Sequence, residues 1–343
     1  MIMRVKIRDI AKELNISPST VSRALAGNPK ISEITKKKVN DLAIKLNYQP
    51  DLIARSLKSK KTKTIGFIIP DVTNPVCPEI TKGAEDIASK NKLNIILCNS
   101  DYDPIKELEY LKILIQKRVD GILIIPYADE NYLNKILKDY DVPCVLLDTK
   151  PLKGTSRSYV YTDHKYGAYL ATKYLIELGH KRIAIINGPE IHSPCKQMEE
   201  GYLNALKKFD IPLNPSYIKE CNFKKENSYN AMKELLNLDK NEIPTGVIFI
   251  SDMAAIGAYD AITEKKYKIP EDFSIIGYDN ILETKYFNPS LSTVNQAKYE
   301  LGEIGMELLI NEMKNPGNFK KEQIKLKPKL IIRQSSGPPR EFC

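Results

Sequence analysis

The chain of 343 residues is poor in the side chains that do chemistry on their own. Its 3 histidines, His164, His180 and His192, are too scattered for a metal-ligand spacing or for a nucleophile and base pair. Its 6 cysteines, at 77, 98, 144, 195, 221 and 343, make no C-x-x-C pair and have mostly apolar neighbours, which points to reduced packing residues rather than a redox centre. No G-x-G-x-x-G follows a strand-like run, so the dinucleotide-binding signature is missing. No metal, cofactor or catalytic residue is therefore expected, and the sequence does not read as an enzyme. There is also no apolar run of about 18 residues, and the first residues form an amphipathic pattern without a signal-peptide core. A membrane span is excluded and the cytoplasm is the expected location. A transporter's solute-binding protein would need the missing export signal.

What is abundant is positive charge, and it is concentrated. Residues 1–63 carry 15 Lys and Arg against 5 Asp and Glu, whereas the whole chain has a net charge of only +9. A basic surplus confined to one short module is the electrostatic footprint of phosphate binding. The same module has helical periodicity. Ile7, Ile10, Ala11 and Leu14 fall at i, i+3, i+4, i+7, and so predict one short amphipathic helix. Ser17-Pro18 reads as an N-cap with proline at the first helical position, and Val21, Ala24 and Leu25 share the buried face of the second helix. Only Asn15-Ile16-Ser17 separates the two, as a tight helix-turn-helix corner requires. A third helix follows an N-cap at Ser32, with Ile34, Val39, Leu42, Ala43 and Leu46 as its expected buried stripe.

Ser17, Ser19, Thr20 and Ser22 are too many short hydroxyls for a core helix, because they compete for backbone hydrogen bonds. With Arg23 they suit phosphates and the major-groove base edges of duplex DNA.

From Thr64 onward, strand-like runs such as TIGFIIP, LNIILC, VDGILII and CVLLDT alternate with amphipathic segments, and KRIAIING, TGVIFIS and FSIIGYD repeat the alternation. This is the βαβ pattern of parallel, doubly wound sheets, in two halves. Ligands on such folds sit past the carboxyl ends of strands, which singles out residues 71–74, Tyr127, Asp148, Asn187, Asp252 and Asp279.

The stretches IRDIAKELNISPSTVSRALAGNPKISEITKKKV, LNYQPDLIARSLKSKKTKTIGFIIPDVTNP, LIELGHKRIAIING, SDMAAIGAYDAI and IIGYDNI together resemble the LacI/GalR family of bacterial transcriptional repressors over nearly the whole chain. The resemblance implies a multidomain protein. Residues 1–50 would form an all-α helix-turn-helix domain and 51–63 a hinge helix and linker. An α/β core like a type I periplasmic binding protein would follow, with one lobe from 64–162 plus 291–319 and the other from 163–290 plus 320–343. It also implies a homodimer on a pseudo-palindromic operator, with a small-molecule effector, a carbohydrate or its derivative, between the lobes.

Carried over by position, the DNA contacts fall on Ser17, Pro18, Ser19, Thr20, Ser22, Arg23 and Asn28, and in the hinge on Ala54, Leu57 and Lys58. The effector contacts fall on Asn74, Val76, Tyr127, Asp148, Asp163, Met198, Asp252 and Gln296. The chain departs from sugar-binding relatives at Val76 and Cys77, which replace two aromatic residues, and at Thr149 and Met198, which replace arginines. These departures keep a second reading open, in which a phosphorylated carrier protein is the main co-effector. The last residues, QSSGPPREFC, contain no heptads, so a dimer is expected without a tetramer-forming helix.

Overall fold

In the computed structural model, residues 5–49, 61–128, 133, 136–137, 140, 142–150, 157–222 and 225–339 are described. The chain divides into two compact units, Met1–Thr62 and Lys63–Cys343. The hinge expected at 51–63, with Ala54, Leu57 and Lys58, lies outside the described residues except for 61–63.

The first unit contains α1 (Ile7–Glu13), α2 (Pro18–Leu25) and α3 (Glu33–Lys45). The corner and the two later helix starts have local causes. Asn15 takes a left-handed φ of 52° at the corner after α1, and the Ile16 N–H returns to the Ala11 carbonyl. The hydroxyl of Ser17 accepts from the Thr20 N–H at 3.1 Å, and Ser32 does the same for Thr35 at 3.2 Å. Such caps satisfy an otherwise orphaned N–H and contribute about 1 kcal/mol each. Ile10, Ala11, Val21, Ala24, Val39, Leu42 and Ala43 close one small core. Ile34 does not join it and is 72% exposed, contrary to the expected stripe. It lies five positions before Val39, about 140° around a helix of 3.6 residues per turn, and so points away from the face that Val39 buries.

The second unit holds two six-stranded sheets. The first sheet uses β1 (Thr64–Ile69), β2 (Asn94–Asn99), β3 (Gly121–Ile124), β4 (Cys144–Leu147), β5 (Ser158–Thr162) and β11 (Gln323–Leu326), in the order β11-β5-β4-β3-β1-β2, all parallel. The second uses β6 (Ile183–Asn187), β7 (Ile218–Glu220), β8 (Gly246–Phe249), β9 (Ser274–Tyr278), β10 (Ser292–Asn295) and β12 (Lys329–Ile331), in the order β12-β10-β9-β8-β6-β7. There only the β10–β12 pair is antiparallel. Central strands such as β3, β4 and β8 are buried throughout, which is why they read as continuous apolar runs rather than alternating ones.

The helices are α4 (Val76–Lys90), α5 (Pro104–Gln116), α6 (His164–Glu177), α7 (Ser193–Lys208), α8 (Lys225–Leu236), α9 (Asp252–Glu264) and α10 (Lys298–Lys314). Two of them change sides. β5 belongs to the first sheet, but the helix after it, α6, packs on α7 and the second sheet; β10 belongs to the second sheet, but α10 packs on α4 and the first. These crossings correct the expected lobe boundaries. Strand β10 at 292–295 belongs to the second lobe, although 291–319 was assigned to the first, and β11 at 323–326 belongs to the first, although 320–343 was assigned to the second.

Glycines permit the tight helix contacts at these crossings. A Cβ on Gly302 of α10 would meet the Ile80 carbonyl oxygen at 1.9 Å, and one on Gly201 of α7 would meet that of Lys165 at 2.1 Å.

Candidate functional site

In the first unit, the candidate DNA contacts run from the N-cap of α2 along the helix to Arg23 in its last turn and to Asn28 in the loop beyond. Ser17, Pro18, Ser19, Ser22 and Arg23 are exposed, while Thr20 and Asn28 are half-buried. The Ser17 hydroxyl lies 2.8 Å from those of both Ser19 and Thr20, so three of the four hydroxyls form one cluster at the helix start. Asn28 ends the helix-to-loop turn, its Oδ1 accepting from the Lys30 N–H at 2.9 Å. The resulting exposed face combines hydroxyls, a guanidinium and a helix N-terminus, the groups that bind phosphate oxygens and base edges.

In the second unit, a cavity of about 560 Å³ opens where strands of both sheets end. Six of the eight expected effector residues line it: Asn74, Val76, Tyr127, Asp148, Met198 and Gln296. Asp148 follows β4 at a φ of 53°, and Asp279 follows β9 at 112°. Each therefore occupies backbone space that non-glycine residues seldom adopt, and strain of this kind clusters at ligand sites. The Asp148 carboxylate is 3.0 Å from Nε2 of His164, whose Nδ1 is 3.1 Å from the Tyr278 hydroxyl. Asp279 accepts from Nε2 of Gln296 at 2.5 Å. Burial, together with the neighbouring Asp252 carboxylate, pushes the Asp279 carboxyl well above its ordinary range, favouring the protonated form.

The remaining two expected residues point elsewhere. Asp163 caps α6 by accepting from the Tyr166 N–H at 3.1 Å and pairs with Lys325 at 2.8 Å. Asp252 is fully buried; its carboxylate accepts from the Ile281 N–H at 2.9 Å and from the Thr293 hydroxyl at 2.6 Å. Those bonds fasten the loop after β9 to α9, and Asp252 does not line the cavity as the structure stands. Asn187, the last residue of β6, turns inward to donate to the Cys195 carbonyl at 2.9 Å.

Sequence reading missed several groups. His164 and His192 both line the cavity, although they are 28 positions apart and looked unrelated in the chain. The aromatic faces missing at Val76 and Cys77 are supplied from other elements: Tyr127 stacks on His192 with ring centroids 4.3 Å apart, and Tyr102 meets Tyr127 edge-on at 5.2 Å. Burial lowers the His192 pKa and so favours its neutral ring. The Tyr102 hydroxyl accepts from Nδ2 of Asn74 at 3.0 Å. Cys77 and Cys195 are buried in the wall, and burial pushes both thiols up to about 12, which leaves them unreactive.

The backbone around Tyr127 is itself anchored. Glu107 of α5 is fully buried and its carboxylate accepts from the N–H groups of Tyr127 at 2.7 Å and Ala128 at 3.2 Å. Nothing in the local sequence marks this glutamate, because the partner loop lies 20 residues further on.

A helix-turn-helix unit with an exposed, cation-bearing α2, joined to a two-lobed core with a cavity of mixed polar and apolar lining past its strand ends, defines the class: a transcriptional regulator with a ligand-binding-protein core. The comparisons with known proteins agree. Residues 6–51 match the model of bacterial regulatory proteins of the lacI family, and residues 172–336 match that of a periplasmic binding protein-like domain. The chain is 35% identical over 332 residues to the HTH-type transcriptional repressor PurR of Mannheimia succiniciproducens, covering 96% of this chain and 98% of that one. Against a LacI family regulator of Enterococcus faecium with bound ribose, the TM-score is 0.71 at 36% identity, covering 80% of this chain and 99% of that one. The lac repressor dimer bound to operator and the anti-inducer ONPF shares the fold, with a TM-score of 0.88 at 24% identity over 97% of this chain and 99% of that one. This chain belongs to the LacI family of bacterial regulatory proteins and is a DNA-binding transcriptional repressor.

Proposed function

We propose that the chain acts in the cytoplasm as a homodimer, presenting two copies of α2 to the major grooves of a pseudo-palindromic operator, and that a carbohydrate effector in the core cavity controls its affinity. The observation that carries the effector reading is the mixed lining of the cavity. Asn74 and Asp148 come from the first lobe and Asp279 and Gln296 from the second, with the aromatic surface of Tyr127 and His192 alongside. Carboxylates and amides suit sugar hydroxyls, and an aromatic face suits the apolar face of a sugar ring. A volume of about 560 Å³ lies within the ordinary range of small-molecule pockets. The ribose held by the Enterococcus faecium relative supports the same ligand class. A ligand that touches both lobes favours the lobe arrangement in which all its contacts are made, and this is the differential affinity that a regulator needs.

The DNA reading predicts a salt-dependent complex. The logarithm of the binding constant should fall with the logarithm of salt concentration by about 0.9 per phosphate neutralised. A flat response would overturn it. The effector reading is tested by a thermal-shift panel of free sugars and sugar phosphates at millimolar concentration. A micromolar binder present at a thousandfold excess over its Kd stabilises by about 4 kcal/mol. If no sugar shifts the melting curve while a phosphorylated carrier protein changes operator affinity, the carrier-protein reading replaces the carbohydrate one.

A further inference from the structure

The two helix crossings of the core are built alike. After β5 the chain leaves the first lobe, and the first residue of α6, His164, reaches back to Asp148 at the end of β4. After β10 it leaves the second lobe, and the first residue of α10, Lys298, reaches back to the end of β9. In both cases a basic side chain at the start of a side-changing helix grips an aspartate with positive φ in the lobe that the helix has just left.

Lys298 makes the more demanding of the two contacts. Its side chain is 1% exposed, and an ammonium so far from water needs partners for its three donors. It finds three acceptors: the carbonyl oxygen of Asp279, that of Asn280 at 3.4 Å, and Oε2 of Glu79 on α4 at 3.2 Å. The two carbonyls belong to the second lobe, and both of their residues have positive φ, 112° and 53°. Glu79 and the body of α10 belong to the first lobe. Directly in front of the gripped backbone, the Asp279 side chain faces the cavity and is held by Gln296.

We propose that Lys298 is the positioning residue of an interlobe clasp: it holds the Asp279–Asn280 backbone in its strained conformation, so that the Asp279 carboxyl faces the cavity, and it ties that loop to α4 of the opposite lobe. Occupancy of the cavity is then felt at Glu79 through a single side chain. The clasp itself does not depend on which ligand the cavity takes; only its use in sensing rests on the effector reading.

The test uses the full chain without added ligand. Lys298→Met keeps an unbranched chain one atom shorter and removes every donor, Lys298→Arg keeps charge and donors, and Lys298→Gln serves if the methionine variant does not fold. Hydrogen exchange is followed at Asp279, whose N–H bonds the Val294 carbonyl at 2.8 Å, and at Asn280, whose N–H bonds the Thr293 hydroxyl at 3.2 Å. In parallel, single-molecule FRET is read between dyes on unnatural amino acids replacing the exposed Lys112 and Lys240, one in each lobe. The methionine or glutamine variant should speed exchange at these two amides at least tenfold while β3 and β8 keep their wild-type rates. It should also broaden the FRET distribution, and arginine should restore both readouts. Wild-type exchange and FRET in the methionine or glutamine variant would overturn the clasp. So would acceleration spread evenly over both sheets, which marks general destabilisation. A clasp that passes while the sugar panel shows no binding would remove the carbohydrate reading alone.

Discussion

Glu107 should make the stability of the core fall as the solution is taken from mildly acid to mildly alkaline. Burial pushes its carboxyl from an ordinary 4.5 to about 7, opposed in part by the hydrogen bonds from the Tyr127 and Ala128 N–H groups. The sign follows from proton counting. Between those two values the folded chain holds a proton that the unfolded chain has released, so raising the pH favours unfolding. Stability is highest below the unfolded value of 4.5 and is lost as the pH rises through about 7. At about 1.4 kcal/mol per pH unit, the whole interval is worth about 3 kcal/mol, most of which falls between pH 5 and pH 8. Asp252, raised by burial to about 7, contributes in the same direction, so the informative quantity is a difference between variants. Glu107→Gln is nearly isosteric with the protonated acid and cannot titrate. Urea unfolding followed by far-UV circular dichroism, which suits a chain without tryptophan, should give a wild-type stability that drops by about 2–3 kcal/mol more than the variant's between pH 5 and pH 8. Parallel pH profiles for the two proteins would refute the reasoning and imply that the Glu107 site is wetter, or its two N–H bonds stronger, than its burial indicates.

Further expectations follow from other sites. Arg23→Ala should weaken operator binding and lower the salt slope by about 0.9 if the guanidinium neutralises one phosphate, as read by fluorescence anisotropy across a salt series. Asp252→Ala should destabilise the core by about 2–4 kcal/mol in urea unfolding, because it strips the Ile281 N–H and the Thr293 hydroxyl of their acceptor, while the folded protein keeps its affinity for DNA. Gly302→Ala should cost more than the few tenths of a kcal/mol typical of surface changes, since its Cβ would lie 1.9 Å from a backbone oxygen; an unchanged melting temperature would show that α4 and α10 can move apart freely.

The helix-turn-helix was legible in the sequence because its causes are local: serine caps, a proline at the first helical position and apolar residues at helical spacing all lie within a few positions of one another. The strands were legible for the same reason. Sheet membership was harder to read, because β10 and β11 look like any short strand and only their pairing partners place them in opposite lobes. At the cavity, Asp148 and Asp252 looked equivalent, each an aspartate past an apolar run. The difference is conformational: Asp252 opens a helix and turns into the protein, while Asp279, singled out by its place past the next strand but absent from the contacts that the family resemblance implies, takes a positive φ that brings it to the cavity. The Tyr127 and His192 stack was invisible for a similar reason, since 65 positions of chain separate rings that only the fold brings together.

The exchange of helices between the lobes bears on how the chain is made. The first lobe cannot finish its sheet until β11 at residues 323–326 has been added, and only β12 at 329–331 and the segment through Gly337, which bonds to Ser292, Ser274 and His180, then remain for the second. On the ribosome, residues 64–162 therefore emerge with an unpaired β5 edge and an uncovered apolar face, and wait through the synthesis of nearly the whole second lobe. The helix-turn-helix unit, with contacts among three neighbouring helices, can fold as soon as it emerges. The nascent repressor thus acquires a DNA-reading head long before it has a finished core, and the interval between the two is the stage most exposed to aggregation and to chaperones.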